Sequence, residues 1–329
     1  MRRRILIGAV LLALLLGLVV RASYVLVPER TEYGAGWTMY RHEPERSVDV
    51  LIFGSSMAYC DIVPADLYAQ TGLTSYLMAG PEQTFAITYS YMREALRTQS
   101  PSVICLELSG IMFQRYMGFT LANISYMPYF SRNRLEATLY GAERSEWAGL
   151  FFPLYNYHDR FGNPLVLLRA RPDEHPDPMA GFTPMAAATP QTERGPRDYD
   201  LSEETFAENC AWLKKIQTLC AEEGVRLILF QVPSCAYLPE EWMERLRAAA
   251  GPEAEIVDLN EDFETAGLDM ETDFYDFLHT NAAGARTVTR LLGDYLSAGE
   301  PVERHAHDEA LWQWRAEEWE KRLAELASA

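Results

Sequence analysis

Two short stretches of the 329-residue chain carry side chains that can do covalent chemistry together. Gly54-Ser55-Ser56 closes the apolar run Val48–Phe53, where glycine permits a tight turn and a serine hydroxyl projects above the end of a strand. Far downstream, Asp276-Phe277-Leu278-His279 sets a carboxylate three residues before an imidazole. That spacing lets Asp276 accept from one ring nitrogen of His279 and leaves the other nitrogen for a serine hydroxyl, the arrangement of nucleophilic acyl transfer. Taken alone, the serine pair also reads as an ordinary N-cap of the next helix.

A second polar cluster, Tyr157-His158-Asp159-Arg160, lies in a segment rich in Tyr, Phe, Met and Pro that spans residues 111–200. Aromatic faces with a few charged donors suit sugar rings, so Tyr157, His158 and Arg160 are expected over the serine as a substrate-binding group. The same residues also read as the small core of the segment, with His158 capping a turn. No metal set is expected, because His305-Ala306-His307-Asp308 reads as a solvated helix start, and no cofactor motif is present. The five cysteines, Cys60, Cys105, Cys210, Cys220 and Cys235, are an odd number, so at least one is free or intermolecular.

These groups need a scaffold that brings residues 56 and 279 to one edge. Continuous apolar runs at Val48–Phe53, Thr74–Ala79, Val103–Leu108, Val225–Val232 and Glu255–Leu259 predict central parallel strands. Helical segments at Gln83–Arg97, Ser202–Glu223, Pro239–Ala250 and Ala282–Leu296 alternate with them, which predicts a doubly wound α/β sheet over residues 48–298. Ligands of such sheets bind beyond the carboxyl ends of the strands, where both motifs fall.

Residues 1–30 are a separate object: Arg2-Arg3-Arg4 precede an apolar run from Ile5 to Val20 that weakens through Val27. As a helix this run would cross a hydrocarbon core, with the arginines holding the amino terminus in the cytoplasm and the domain outside; cleavage near Ala22 as a signal peptide is the other reading. At the other end, within residues 305–329, Trp312, Ala316, Trp319, Leu323 and Leu326 form one face of an amphipathic helix, expected to dock on the domain, with contact to a partner protein as the other use; its many glutamates disfavour a membrane surface. With 29 basic and 47 acidic residues the net charge is −18, which argues against nucleic acid as a partner.

The two motifs resemble the first and last blocks of the SGNH/GDSL hydrolase superfamily, Gly-x-Ser after strand one and Asp-x-x-His near the end. The stretches DVLIFGSSMAYCDIVP, FFPLYNYHDRF and DFYDFLHTNAAGA resemble a membrane-anchored bacterial branch, distantly like the teichoic-acid D-alanyl-transfer and alginate O-acetylation proteins. The resemblance implies a three-layer, flavodoxin-like α/β/α fold with Ser56 as nucleophile, His279 as base and Asp276 as its orienter. It also implies oxyanion donors at Gly80 and at Ser109, which stands where the family has an asparagine, with Gln83 as a replacement donor. The activity implied is an extracytoplasmic acyl transferase or esterase on O-acyl groups of a cell-envelope glycan, partnered by a multi-span membrane acyltransferase. A catalytically silent scaffold for such an acyltransferase is the other implied role.

Overall fold

The computed structural model describes residues 2–27, 33, 36–115, 118–158, 175–197 and 199–328, with 24–26 as backbone only. Five short strands, β1 (Val50–Gly54), β2 (Ser75–Ala79), β3 (Val103–Glu107), β4 (Arg226–Gln231) and β5 (Glu255–Asp258), form one fully parallel sheet in the order β2-β1-β3-β4-β5. The chain starts in the middle, steps to one side and then returns to the other, so the strand order reverses beside β1. Ligands of open parallel sheets collect at that reversal.

Alternate side chains of each strand enter opposite layers. Leu51, Phe53, Ile104 and Leu106 pack into one layer, while Val50, Ile52, Val103 and Cys105 pack into the other. The first layer is built on α5 (Phe85–Ala95), α10 (Glu203–Glu223) and α11 (Glu240–Ala250). The second is built on α3 (Ser56–Asp61), α4 (Pro64–Thr71) and α12 (Ala282–Ala298). Helix starts fall where side-chain oxygens relieve the first orphan amides: Thr84 accepts from Ile87, Ser202 from Thr205 and Asn281 from Ala283 and Gly284. The strand and helix boundaries expected from the sequence hold to within two residues.

Helix α1 (Arg2–Leu26) projects from this body. Its stretch Arg2–Ser23 has mean hydropathy 2.7 and no part of its apolar window is buried, so by length and composition it can cross a bilayer, as can a signal sequence. A short helix α2 (Gly36–Tyr40) follows and packs on β2. The long segment between β3 and β4 holds α6 (Thr120–Ser125), α7 (Arg132–Gly141), α8 (Trp147–Phe151) and α9 (Leu154–Tyr157).

The last helix, α13 (Glu309–Ser328), docks on the domain. Trp312 stacks on Tyr68 of α4, and the Trp319 indole donates to Asp66 at 3.2 Å. The docked face also holds a charge that apolar periodicity does not reveal: buried Arg315 pairs with both oxygens of buried Glu43 and donates to the Asp177 carbonyl. All five cysteines are free, and among the described residues no cluster of ligand side chains could hold a metal. His305 is bonded to buried Asp49 rather than solvated.

Candidate active site

The turn after β1 is shaped by close packing. A Cβ on Gly54 would lie 2.6 Å from Cβ of Glu107, so only glycine lets β1 and β3 stay this close at the sheet edge. Ser55 then caps α3, its hydroxyl accepting from the Met57 amide at 3.2 Å. Ser56 is the first residue of α3, and its N–H, as the first helical amide, has no acceptor within the helix.

From the other side of the sheet the chain returns after β5 in a tight loop. Phe274 and Thr280 bridge antiparallel, and the Tyr275 amide donates to the His279 carbonyl at 2.9 Å. Asp276 Oδ1 accepts the amides of Leu278 and His279, at 2.7 and 2.9 Å, which fixes the carboxylate under the ring. His279 Nδ1 then lies 3.0 Å from both Asp276 oxygens, and Nε2 lies 2.8 Å from Ser56 Oγ. Residues 56, 276 and 279 thus form one hydrogen-bonded chain, and it is Ser56, not Ser55, that faces the imidazole.

The electrostatics favour a charged imidazole beside a charged carboxylate. Burial depresses the His279 pKa, but the Asp276 hydrogen bond and the charges of Asp61, Asp276 and Glu107 outweigh it, leaving it raised. Burial pushes the Asp276 carboxyl up, yet the His279 bond and charge and the two amides bring it below the usual carboxylate range.

Two further carboxylates underlie this chain. Glu107, at the end of β3, accepts from the amide and hydroxyl of Ser55, at 3.3 and 3.2 Å, and from the amide and hydroxyl of Ser109, both at 2.6 Å. Asp61, at the end of α3, accepts from the amide and hydroxyl of Thr280 at 2.9 and 2.7 Å. Both are fully buried. Burial raises both pKa values, that of Asp61 to about 7, against the bonds each receives. An acidic residue inside an apolar run, as in Val103–Leu108 and in Tyr59-Cys60-Asp61-Ile62-Val63, is the sequence signal that would have pointed to them.

The expected oxyanion donors lie near this turn with partners inside the protein. Register sets Gly80 one step beyond the Gly54–Ala79 pair, beside the nucleophile turn, but its amide donates to the Gly54 carbonyl at 3.3 Å. The Ser109 hydroxyl is held by Glu107 and Ser55, and the Gln83 amide donates to Thr88 at 3.0 Å and to the Met78 carbonyl. All three are therefore engaged inside the protein, while the first amide of α3 has no acceptor within its helix. The Asn123 amide packs where a Gly80 Cβ would be, with its Nδ2 on the Pro81 carbonyl, so glycine is required there for space.

Of the polar group of the insertion, neither Tyr157 nor His158 is hydrogen-bonded to Ser56. Tyr157 ends α9, which packs against α1, and exposed His158 bonds back to the Tyr155 carbonyl, a turn-closing contact. Arg160 lies outside the described residues. A strap of the insertion over residues 183–195 packs along the site. Its amides at Thr183, Thr189, Gln191 and Gly195 donate to Tyr59, Phe274, Met270 and Cys235, and Met185 accepts from Ala282, so it braces both walls of the His279 loop. An apolar pocket lined by Met57, Leu108, Ile111, Met112, Leu238 and Met243, with Ser109 in its wall, opens beside the Ser55–Ser56 turn.

Compared with protein-family models and with curated proteins, the chain matches none.

Proposed function

We propose that the domain transfers or removes an acyl group by a Ser–His–Asp mechanism. The observation that carries the reading is the 2.8 Å contact of Ser56 Oγ with His279 Nε2, with Asp276 on the opposite ring nitrogen. Ser56 Oγ attacks the ester carbonyl while its proton passes to Nε2, giving a tetrahedral oxyanion and an imidazolium. His279 returns the proton to the leaving alcohol as the C–O bond breaks, which leaves an acyl-Ser56. Water, or an acceptor hydroxyl, then attacks that ester and loses its proton to Nε2, and Ser56 is released with its proton restored.

The resemblance to SGNH/GDSL proteins supports the same reading. The shared points are the Gly-x-Ser and Asp-x-x-His motifs at the two ends of the domain and a parallel sheet whose order reverses beside β1. The apolar pocket next to Met57 is small, of a size for a short acyl group at most. With α1 as an anchor and Arg2–Arg4 on the cytoplasmic side, the domain works on O-acyl groups of a cell-envelope glycan, beside a multi-span acyltransferase that supplies acyl groups.

One observation favours the second reading, a silent scaffold for that acyltransferase: Gly80, Ser109 and Gln83 spend their donors internally, and one missing oxyanion donor costs about 3 kcal/mol of transition-state stabilisation. Incubating the full chain with a nitrophenyl acetate, with and without an oligosaccharide acceptor, separates them. Nitrophenol release that Ser56→Ala abolishes supports catalysis, and acylated acceptor identifies transfer. A folded protein that releases no nitrophenol supports the scaffold.

A further inference from the structure

Helix α3 carries the serine at its first residue and a buried carboxylate at its last. Asp61 Oδ1 accepts the N–H and the Oγ–H of Thr280, the residue that follows His279, across 219 positions of sequence. One six-residue helix therefore holds both ends of the Ser56–His279 contact. The other oxygen, Oδ2, is buried and has no hydrogen-bond partner. An asparagine oxygen would serve Thr280 as well, its Nδ2 merely replacing one unpaired buried polar atom by another. What the carboxylate adds is charge beside the imidazole.

The surroundings leave that charge uncompensated. The groups that act on His279 are Asp276 from its own loop, Asp61 from α3 and Glu107 from β3. Those acting on Asp61 are His279, Glu107 and the bonds from Thr280, and the neighbouring Cys60 thiol is pushed up by burial first and then by the charges of Asp61 and Asp276. The arginines of α12 are spent elsewhere, Arg286 on Asp66 and Glu320 and Arg290 on Asp294. Among the described residues no Lys or Arg pairs with Asp61 or Glu107. When His279 takes the Ser56 proton, the new cation forms beside the Asp276 carboxylate and acts on Asp61, whose pKa burial raises to about 7 and which the imidazolium charge in turn draws toward its ionised form.

We propose that Asp61 is a second positioning carboxylate for His279: through Thr280 it ties the His279 loop to the helix that carries Ser56, and its charge favours the imidazolium formed when Ser56 gives up its proton. The proposal rests on the Ser56–His279 reading and adds a residue to it. The proton moves only from Oγ to Nε2; Asp61 neither receives nor donates it.

The test is Asp61→Asn in the full chain, which keeps an acceptor for Thr280 and removes the charge. The first readout needs no catalysis: titration of the His279 imidazole by nitrogen NMR in histidine-labelled protein, with the signal assigned from His279→Gln. The expected result is a midpoint lower than wild type by about one pH unit, as for loss of a nearby opposite charge. The acid limb of kcat/KM for ester hydrolysis is expected to shift the same way. An unchanged midpoint in a folded variant overturns the proposal and reduces Asp61 to a bracket for Thr280. Should Asp61→Asn fail to fold, the reciprocal measurement decides: by carbon NMR the Asp61 carboxyl must titrate at higher pH in His279→Gln than in wild type, and equal midpoints overturn the coupling. A shifted imidazole without any ester turnover supports the coupling and sinks the hydrolase reading, whereas turnover with no shift does the reverse.

Discussion

At the scale of single residues, the site is a chain of charges held by backbone amides. Asp276 is fixed by two amides before it touches His279, so its orientation survives without the imidazole. Asp276→Asn is expected to present the wrong tautomer to Ser56 and to lower kcat on the order of 10²–10⁴-fold with little change in KM. His279 must be neutral to act as a base, and its pKa is raised above its ordinary value of about 6.5. Acylation is therefore expected to rise with pH and to reach half its plateau above pH 6.5; a midpoint at or below that value in wild type would contradict the three-carboxylate surround. Glu107 gives a stability test. Its loss in Glu107→Ala strands the buried Ser55 and Ser109 donors, and unfolding in denaturant should show a loss of about 2–4 kcal/mol. Ser56, Asp276 and His279 are legible in the sequence because local spacing and the end of an apolar run announce them. Glu107 and Asp61 are less so, since the partners that give them meaning lie 52 and 219 residues away.

At the scale of elements, the alternation of apolar runs and helical segments determines a parallel sheet, and the sheet determines which loops meet. The strands are apolar on both faces because both faces are covered, the pattern that distinguishes them from amphipathic edge strands. The path of the insertion is not written in that pattern. Tyr157 ends a short helix set against α1 and His158 caps it, while an extended strap of mostly exposed residues, with no periodicity to mark it, does the bracing. Extended chain held by backbone amides leaves no side-chain signature. The close approach of β1 and β3 offers a test at this scale. Gly54→Ala places a methyl 2.6 Å from Glu107 Cβ and 3.0 Å from Ala58 Cβ, so the strands or the nucleophile turn must shift. The expected outcome is a loss of about 1–3 kcal/mol in a thermal melt, together with slower acylation of Ser56.

At the scale of the whole molecule, the two ends of the chain are tied to one domain. Arg315 of α13 reaches Glu43, which follows the membrane-length helix, and the Asp177 carbonyl of the insertion, so one guanidinium joins three distant segments. Removing one member of such a buried pair leaves an uncompensated charge, and Arg315→Ala is expected to cost about 3–5 kcal/mol in denaturant unfolding. The double variant Arg315→Met with Glu43→Leu should recover most of it, since apolar residues of similar volume carry no desolvation penalty. A recovery of nothing would mean that the Asp177 contact, not the ion pair, holds the helix.

The claim on which the rest depends is that Ser56 is a nucleophile activated by His279. A fluorophosphonate reacts only where a serine oxygen is both activated and served by an oxyanion site, and peptide mapping locates the adduct. The full chain should carry one phosphonyl group, on Ser56. Ser56→Ala should carry none, and His279→Gln should label far more slowly. Ser55→Ala should still label at Ser56, at the cost of about 1 kcal/mol for the lost cap of α3. Labelling that persists in Ser56→Ala, or a folded wild-type protein that takes up no label at all, would contradict the account.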